Sequence, residues 1–150
     1  VIIEQDNPAR PEIVRLIEEL DAYQSSLYPP ESNHFLSIDE LLRDEIYFAS
    51  VRVEGEVVGI GALKKCGDYA EVKRMYVPQR LRSRGISRAV MAHLESHARA
   101  VGIPFLRLET GIKQDAALAL YEKCGFVRIG PFGDYAEDPL SVFMEKRLYC

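Results

Sequence analysis

Tryptophan is absent from the 150 residues, and histidine and cysteine occur only three times each, which limits the chemistry open to the chain. Cys66, Cys124 and Cys150 are odd in number, widely spaced and without a CxxC pair, so they suggest neither a disulfide framework nor a zinc site. A reducing cytoplasm is the expected compartment. His93 and His97 stand four apart in a helical stretch, but Glu95 is misplaced for an HExxH pattern and no third ligand is evident. They read as one stripe residue and one flanking residue of a helix, and no metal is expected. Long apolar runs are missing too: none approaches the ~20 residues that span a bilayer, and Val1-Ile2-Ile3 meets Glu4 at once. Neither a membrane segment nor a signal peptide is expected. Internal repeats and low-complexity tracts are lacking as well.

What is present is the composition of a globular protein, with 47% apolar and 28% charged residues. The length suits one compact domain over 1–150. A net charge of -4 conceals an asymmetry, because residues 73–88 hold Lys73, Arg74, Arg80, Arg82, Arg84 and Arg88 with no acid among them. One cationic band on an acidic body points to a compact polyanionic ligand rather than to a nucleic-acid duplex, which would want a broad basic face.

Ile2 and Ile3 read as a short strand, broken by Asn7-Pro8 ahead of an amphipathic helix marked by Ile13, Leu16, Ile17 and Leu20. The proline-rich 27–33 segment reads as an exposed loop, followed by a short helix over 38–43. Strands are expected over 47–53 and 57–63 around a glycine-containing hairpin at 54–56, and a third from Tyr69 to Val77, ended by Pro78. The period then changes: Ile86, Val90, Leu94, His97 and Val101 form a helical stripe closed by Gly102. A short apolar strand over 105–108 follows, and the long helix before it allows a parallel strand-helix-strand crossover. A helix over 115–123, capped by Gly125, and closing strands over 126–129 and 142–148 complete the chain. The fold class is α/β in the broad sense (α+β), with a mixed, mostly antiparallel sheet.

Arg82-Ser83-Arg84-Gly85-Ile86-Ser87 lies where a strand ends and the long helix begins. Unpaired N–H groups and the helix dipole favour an anion there. Gly85 lets the backbone approach a phosphate or take a conformation closed to other residues, and the arginines can pair with phosphate oxygens.

Two separated elements, in the right order, give the chain a specific likeness. Arg82 and Gly85 match a (Gln/Arg)-x-x-Gly-x-(Gly/Ala) element after Met75-Tyr76-Val77-Pro78. Ala117, Leu120, Tyr121, Gly125 and Phe126 match Asn-x-x-Ala-x-x-Leu-Tyr-x-x-x-Gly-Phe. Over about 69–126 the chain resembles the GNAT acetyltransferase superfamily. Ser87 stands where Gly or Ala is usual, and is small enough to keep the loop usable while adding a hydroxyl donor. Gln114 stands where Asn is usual, with Asp115 as an alternative helix cap.

The resemblance implies a twisted sheet with helices on both faces and a splayed parallel strand pair that binds acetyl-CoA as co-substrate. It implies that the backbone of Met75, Tyr76 and Val77 pairs with pantetheine. The pyrophosphate would meet Arg82, Ser83, Arg84, Gly85, Ile86, Ser87 and Arg88, and Arg80 or Arg88 would meet the 3′-phosphate. It further implies N-acetyl transfer to a small amine or a peptide amino group by direct attack, with Tyr121 protonating the departing thiolate. Glu71 is the first candidate for the base, reached through water, with Glu109 and His34 as others. The 27–33 loop and residues 132–141 are expected to border the acceptor pocket. A homodimer is left open. Two alternatives remain at this level: a non-catalytic acyl-CoA-binding module, and an RNA-contacting domain using the basic band.

Overall fold

The computed structural model describes residues 1–32, 36–82 and 84–149. Its strands are β1 (Ile2–Gln5), β2 (Ile46–Val53), β3 (Glu56–Cys66), β4 (Tyr69–Tyr76), β5 (Phe105–Gly111), β6 (Val127–Ile129) and β7 (Ser141–Arg147). They form one sheet in the order β1-β2-β3-β4-β5-β7-β6. Every neighbouring pair is antiparallel except β4 with β5, which run parallel across the crossover helix. The helices are α1 (Pro11–Leu27), α2 (Ile38–Leu41), α3 (Ile86–Ala100) and α4 (Asp115–Lys123).

Alternation along the strands builds a core on each face. On β2, Phe48 joins Ile13, Leu16, Ile17 and Leu20 of α1, while Ala49 and Val51 point the other way, toward Val90, Met91, Leu94 and Ala98 of α3. The helix α3 lies close to the sheet because β3 carries glycines beneath it. A Cβ on Gly61 would sit 2.7 Å from the Val90 side chain, and one on Gly59 would sit 2.9 Å from Ile86. The buried stripe of α3 is therefore Val90, Met91, Leu94 and Ala98, rather than one that includes His97 and Val101. Val101 lies beyond the last helical residue and is half exposed.

His97 instead stacks on Tyr47 of β2, with ring centroids 3.6 Å apart, and the Tyr47 hydroxyl lies 2.8 Å from His93 Nε2. Burial and the neighbouring His93 lower the His97 pKa below its ordinary 6.5. The unfolded chain therefore binds this proton more readily than the folded one, and stability rises with pH across the interval. The melting temperature is expected to be flat above about pH 7.5 and to fall on acidification below roughly pH 6.5. His97→Phe should flatten that segment of a Tm-against-pH series.

The functional feature of the sheet is a parting of its parallel pair. Strands β4 and β5 are in register at Tyr69↔Phe105, Ala70↔Leu106 and Glu71↔Arg107, and among the described residues they pair no further. Instead β5 continues beside β7 up to Gly111↔Ser141, three residues longer than its apolar run suggests. The other strand bends away through a bulge: Lys73 pairs with Ala62 and Tyr76 with Ile60, so β4 carries one extra residue. Arg74 sits in that bulge with φ 55. A side chain in that conformation costs ~1–2 kcal/mol, and the buried guanidinium offsets it. Nε and Nη2 donate to the Leu36 carbonyl at 3.1 and 2.7 Å, and Nη1 donates to Asp21 of α1.

Candidate functional site

Two connected spaces fill the parted region. A cleft of about 510 Å³ runs from Met75, Tyr76 and Val77 to the start of α3 and along α4. A smaller cavity of about 100 Å³ reaches inward between Lys73 of β4 and Glu109 of β5. They share Leu20, Met75, Gln114, Ala117 and Tyr121 as walls. Because β5 no longer flanks β4 here, backbone groups of β4 that point away from β3 are open to a ligand lying alongside.

The outer end of the cleft suits an anion. Gly85 is the N-cap of α3 with φ 78, and no side chain caps that end. A Cβ on Gly85 would meet nothing within 4 Å, so the left-handed conformation, not lack of room, calls for glycine. The N–H groups of Ile86, Ser87 and Arg88 in the first turn have no intrahelical acceptor, and the turn carries no acid to compete for them. Ile86, Ser87 and Arg88 line the cleft, whereas Arg84 is exposed and off its wall. Ser83 lies outside the described residues, as does His34.

The cationic band of the sequence is not one surface. Lys73 and Arg74 turn into the molecule, and Arg80 pairs with Glu56 at 3.3 Å on the outside. Arg82 donates through Nε to the Val77 carbonyl at 3.2 Å and lies over the Tyr23 ring. Arg82 and Arg88 remain on the cleft. Gln114 occupies the N-cap position of α4 but caps nothing with its side chain. Its Oε1 accepts from Gly111 N–H at 3.1 Å and from the Thr110 hydroxyl at 3.4 Å, which ties α4 back to the end of β5. Asp115 falls in the first helical turn rather than at the cap.

Tyr121 stands where the two spaces meet. It is 7% exposed, its ring packs near Phe126 at 5.9 Å, and its hydroxyl has no hydrogen-bond partner among the described residues. Burial pushes its pKa up, with further contributions from Cys124 and Glu109, so the phenol stays a donor through neutral pH. A buried donor left unpaired is costly, so the hydroxyl calls for an explanation.

The two candidate carboxylates stand in different surroundings. Glu71 belongs to the last register pair before the strands part, at the closed end of the wedge, and lines neither space. It is 6% exposed, lies 3.0 Å from Lys73 Nζ and accepts the Tyr135 hydroxyl, while Lys73 donates to that hydroxyl at 2.7 Å. Glu109, two residues past the last pair on β5, is on the wall and accepts from Ser141 at 2.8 Å. Its negative charge is felt at Tyr28, Tyr121 and Tyr135, whose pKa values burial raises first and Glu109 raises further.

Tyr135 was not a sequence candidate, since a tyrosine in a turn-rich segment carries no local sign of burial. Strict alternation would place Arg74 with Ala70 and Val72 on the α3 side, but the bulge turns it to the α1 side, where it meets Asp21 and the Leu36 carbonyl. The loops do reach the smaller cavity. Tyr28, Ser32 and Leu140 line it, and Ser32 donates to Asp138 at 2.6 Å, joining the two segments over it. The Tyr28 hydroxyl accepts from Lys113 N–H at 3.0 Å and occupies the space a side chain at Gly111 would need, 1.8 Å from an added Cβ. Gly111→Ala should displace Tyr28, cost about 1–3 kcal/mol in a denaturant melt and deform the cavity wall.

The chain matches the acetyltransferase (GNAT) family over residues 13–126. The chain belongs to the GNAT family. This acetyltransferase is 47% identical over 150 residues to the IAA acetyltransferase of Azospirillum brasilense, covering 99% of this chain and 98% of that one. It superposes with a TM-score of 0.83 on a Klebsiella pneumoniae protein assigned as an acyl-CoA N-acyltransferase, at 36% identity and coverages of 99% and 97%. The PaiA N-acetyltransferase of Thermoplasma acidophilum, solved in complex with coenzyme A, shares the fold at 18% identity, TM-score 0.71 and coverages of 98% and 99%. The GNAT fold is thus shown, with its parallel pair at β4 and β5. Among the described residues, no helix is long and apolar enough to cross a membrane.

Proposed function

We propose that this GNAT enzyme transfers an acetyl group from acetyl-CoA to the primary amine of a small molecule or peptide, by direct attack within a ternary complex. The observation that carries this reading is the Tyr121 hydroxyl, buried and without a hydrogen-bond partner among the described residues, at the junction of a long cleft and a small polar cavity. The cleft suits the cofactor. Met75, Tyr76 and Val77 offer strand-like backbone to pantetheine, while the N–H groups of Ile86, Ser87 and Arg88 and the Arg82 side chain face the pyrophosphate. Gly85 sets that turn. Gln114 presents its amide where both spaces meet. Coenzyme A in the Thermoplasma protein, which shares this fold, supports CoA as the ligand.

Glu109 is the carboxylate in reach of an amine in the small cavity, and it takes the proton that an attacking ammonium must lose. Nitrogen then bonds to the thioester carbon, and the carbon–sulfur bond breaks as the adduct collapses. The adduct's nitrogen loses its second proton to solution, Tyr121 donates to the departing sulfur and is reprotonated from solution, and Glu109 passes on the proton it took, so one proton is released per amide formed. Glu71 serves as a positioning residue that holds Tyr135 and Lys73. The reaction suits a reducing cytoplasm, where the free thiols Cys66 and Cys124 persist.

The test is thiol release from acetyl-CoA with a panel of amines, both substrates varied. Intersecting initial-velocity lines are expected. Parallel lines would contradict direct attack, and CoA binding with no turnover on any amine would favour a non-catalytic binding module.

A further inference from the structure

We infer that the side-chain amide of Gln114 is a second catalytic donor, its Nε2 hydrogen-bonding the thioester oxygen as charge develops there. This rests on the acetyl-transfer reading and adds a residue to it. When the amine nitrogen bonds to the thioester carbon, the carbonyl electron pair moves onto oxygen, and it returns as the carbon–sulfur bond breaks. Two atoms therefore gain negative charge in turn, the oxygen in the adduct and the sulfur on its collapse. Two donors stand ready for them. Among the described residues that line both the cleft and the small cavity, which are Leu20, Met75, Gln114, Ala117 and Tyr121, only Gln114 and Tyr121 carry side-chain donors.

The partners of the amide settle which way it faces. The oxygen and nitrogen of a glutamine are told apart by what they meet, and here one end lies 3.1 Å from the Gly111 N–H, which can only donate. That end is Oε1, and the Thr110 hydroxyl donates to the same atom at 3.4 Å. Nε2 is thereby turned away from both groups, and it has no hydrogen-bond partner among the described residues. The cations on the cavity wall are committed elsewhere: Lys73 to Glu71 and Tyr135, and Arg74 to Asp21 and the Leu36 carbonyl.

Helix α4 sets the two donors on one side. Gln114, Ala117 and Tyr121 follow at the spacing of a single helical face, and all three line both spaces. Side chains on a helix lean toward its N-terminus, so the Tyr121 phenol leans back toward Gln114. Ala117 between them presents only a methyl group, which leaves room for a thioester. Because Oε1 is anchored before any ligand arrives, the donor needs no reorganisation during the reaction, the condition under which an oxyanion donor is worth most.

Gln114→Glu separates the donor from the tie to β5. The carboxylate matches the amide in shape and keeps an acceptor for Gly111 and Thr110, but at about pH 8 it is ionised and cannot donate. With acetyl-CoA and the fastest amine of the panel, kcat should fall by about 100-fold or more, the range for losing one oxyanion donor. The melting temperature should stay within about 2 °C of wild type and KM for acetyl-CoA within about threefold. Gln114→Met, which loses the tie as well, should lose as much rate and melt roughly 2–4 °C lower. A Gln114→Glu protein with kcat within about threefold of wild type, or with its loss wholly in KM for acetyl-CoA, would overturn this inference while leaving acetyl transfer standing. Absence of thiol release by the wild type with every amine would overturn both. If the variants fail to fold, the wild-type protein decides the matter: the Gln114 side-chain amide resonances should shift further with acetyl-CoA than with CoA. Equal shifts would place the donor on a part of the cofactor common to both and overturn the inference.

Discussion

Tyr121→Phe should lower kcat by on the order of 100-fold or more, the range expected for losing a positioned general acid, with CoA affinity unchanged. The ring of Tyr121 packs against Phe126 and is retained in the variant; only the hydroxyl is removed. That hydroxyl has no hydrogen-bond partner among the described residues. Deleting it therefore removes an unpaired buried donor, and stability should hold or rise by up to about 1 kcal/mol. A large kinetic loss together with an unchanged or raised melting temperature is the signature of a group kept for chemistry. A variant that keeps its rate and loses stability would assign Tyr121 to the core instead. Because burial holds the phenol's pKa high, the wild-type rate should show no loss from Tyr121 ionisation through pH 9.

Arg74→Met should cost about 2–3 kcal/mol, since it removes hydrogen bonds from a charged group to the Leu36 carbonyl and to Asp21. In a chain of this size that is a fall of roughly 5–10 °C in melting temperature. The effect should extend to the site, because Arg74 occupies the bulge that turns β4 away from β5. Arg74→Gly separates two causes. Glycine takes φ 55 without strain but restores none of the bonds. If the guanidinium holds the bulge, both variants are destabilised and both bind CoA more weakly. A glycine variant more stable than wild type would show that backbone conformation alone sets the bend. Calorimetric melts and CoA titrations of the two proteins decide between these outcomes.

Periodicity made most of the architecture legible. Ile13, Leu16, Ile17 and Leu20 marked α1, and the strand-helix-strand order allowed the parallel crossover found between β4 and β5. Local pattern was less informative where tertiary contacts decide. The stripe of α3 shifted to Met91 and Ala98 because the glycines of β3 bring the helix onto the sheet there. The extra residue in β4 is a matter of register, and register belongs to two strands at once.

At the site, the turn at Gly85 and the motif around Tyr121 could be found because each lies within one short segment. The smaller cavity gathers side chains from α1, β4, β5, α4 and the loop before β7. No linear spacing encodes that meeting. Glu71, the acid ahead of the phosphate loop, stands in the last closed pair and lines neither space. Glu109 gains its position because β5 follows β7 while β4 departs.

The most direct test of the account is a titration of CoA followed through backbone amide NMR resonances. If the parted strands form the cofactor cleft, the largest shifts will fall at Met75, Tyr76 and Val77, at Gly85, Ile86, Ser87 and Arg88, and at Gln114 and Tyr121. Shifts concentrated elsewhere on the surface, or none at saturating CoA, would contradict it.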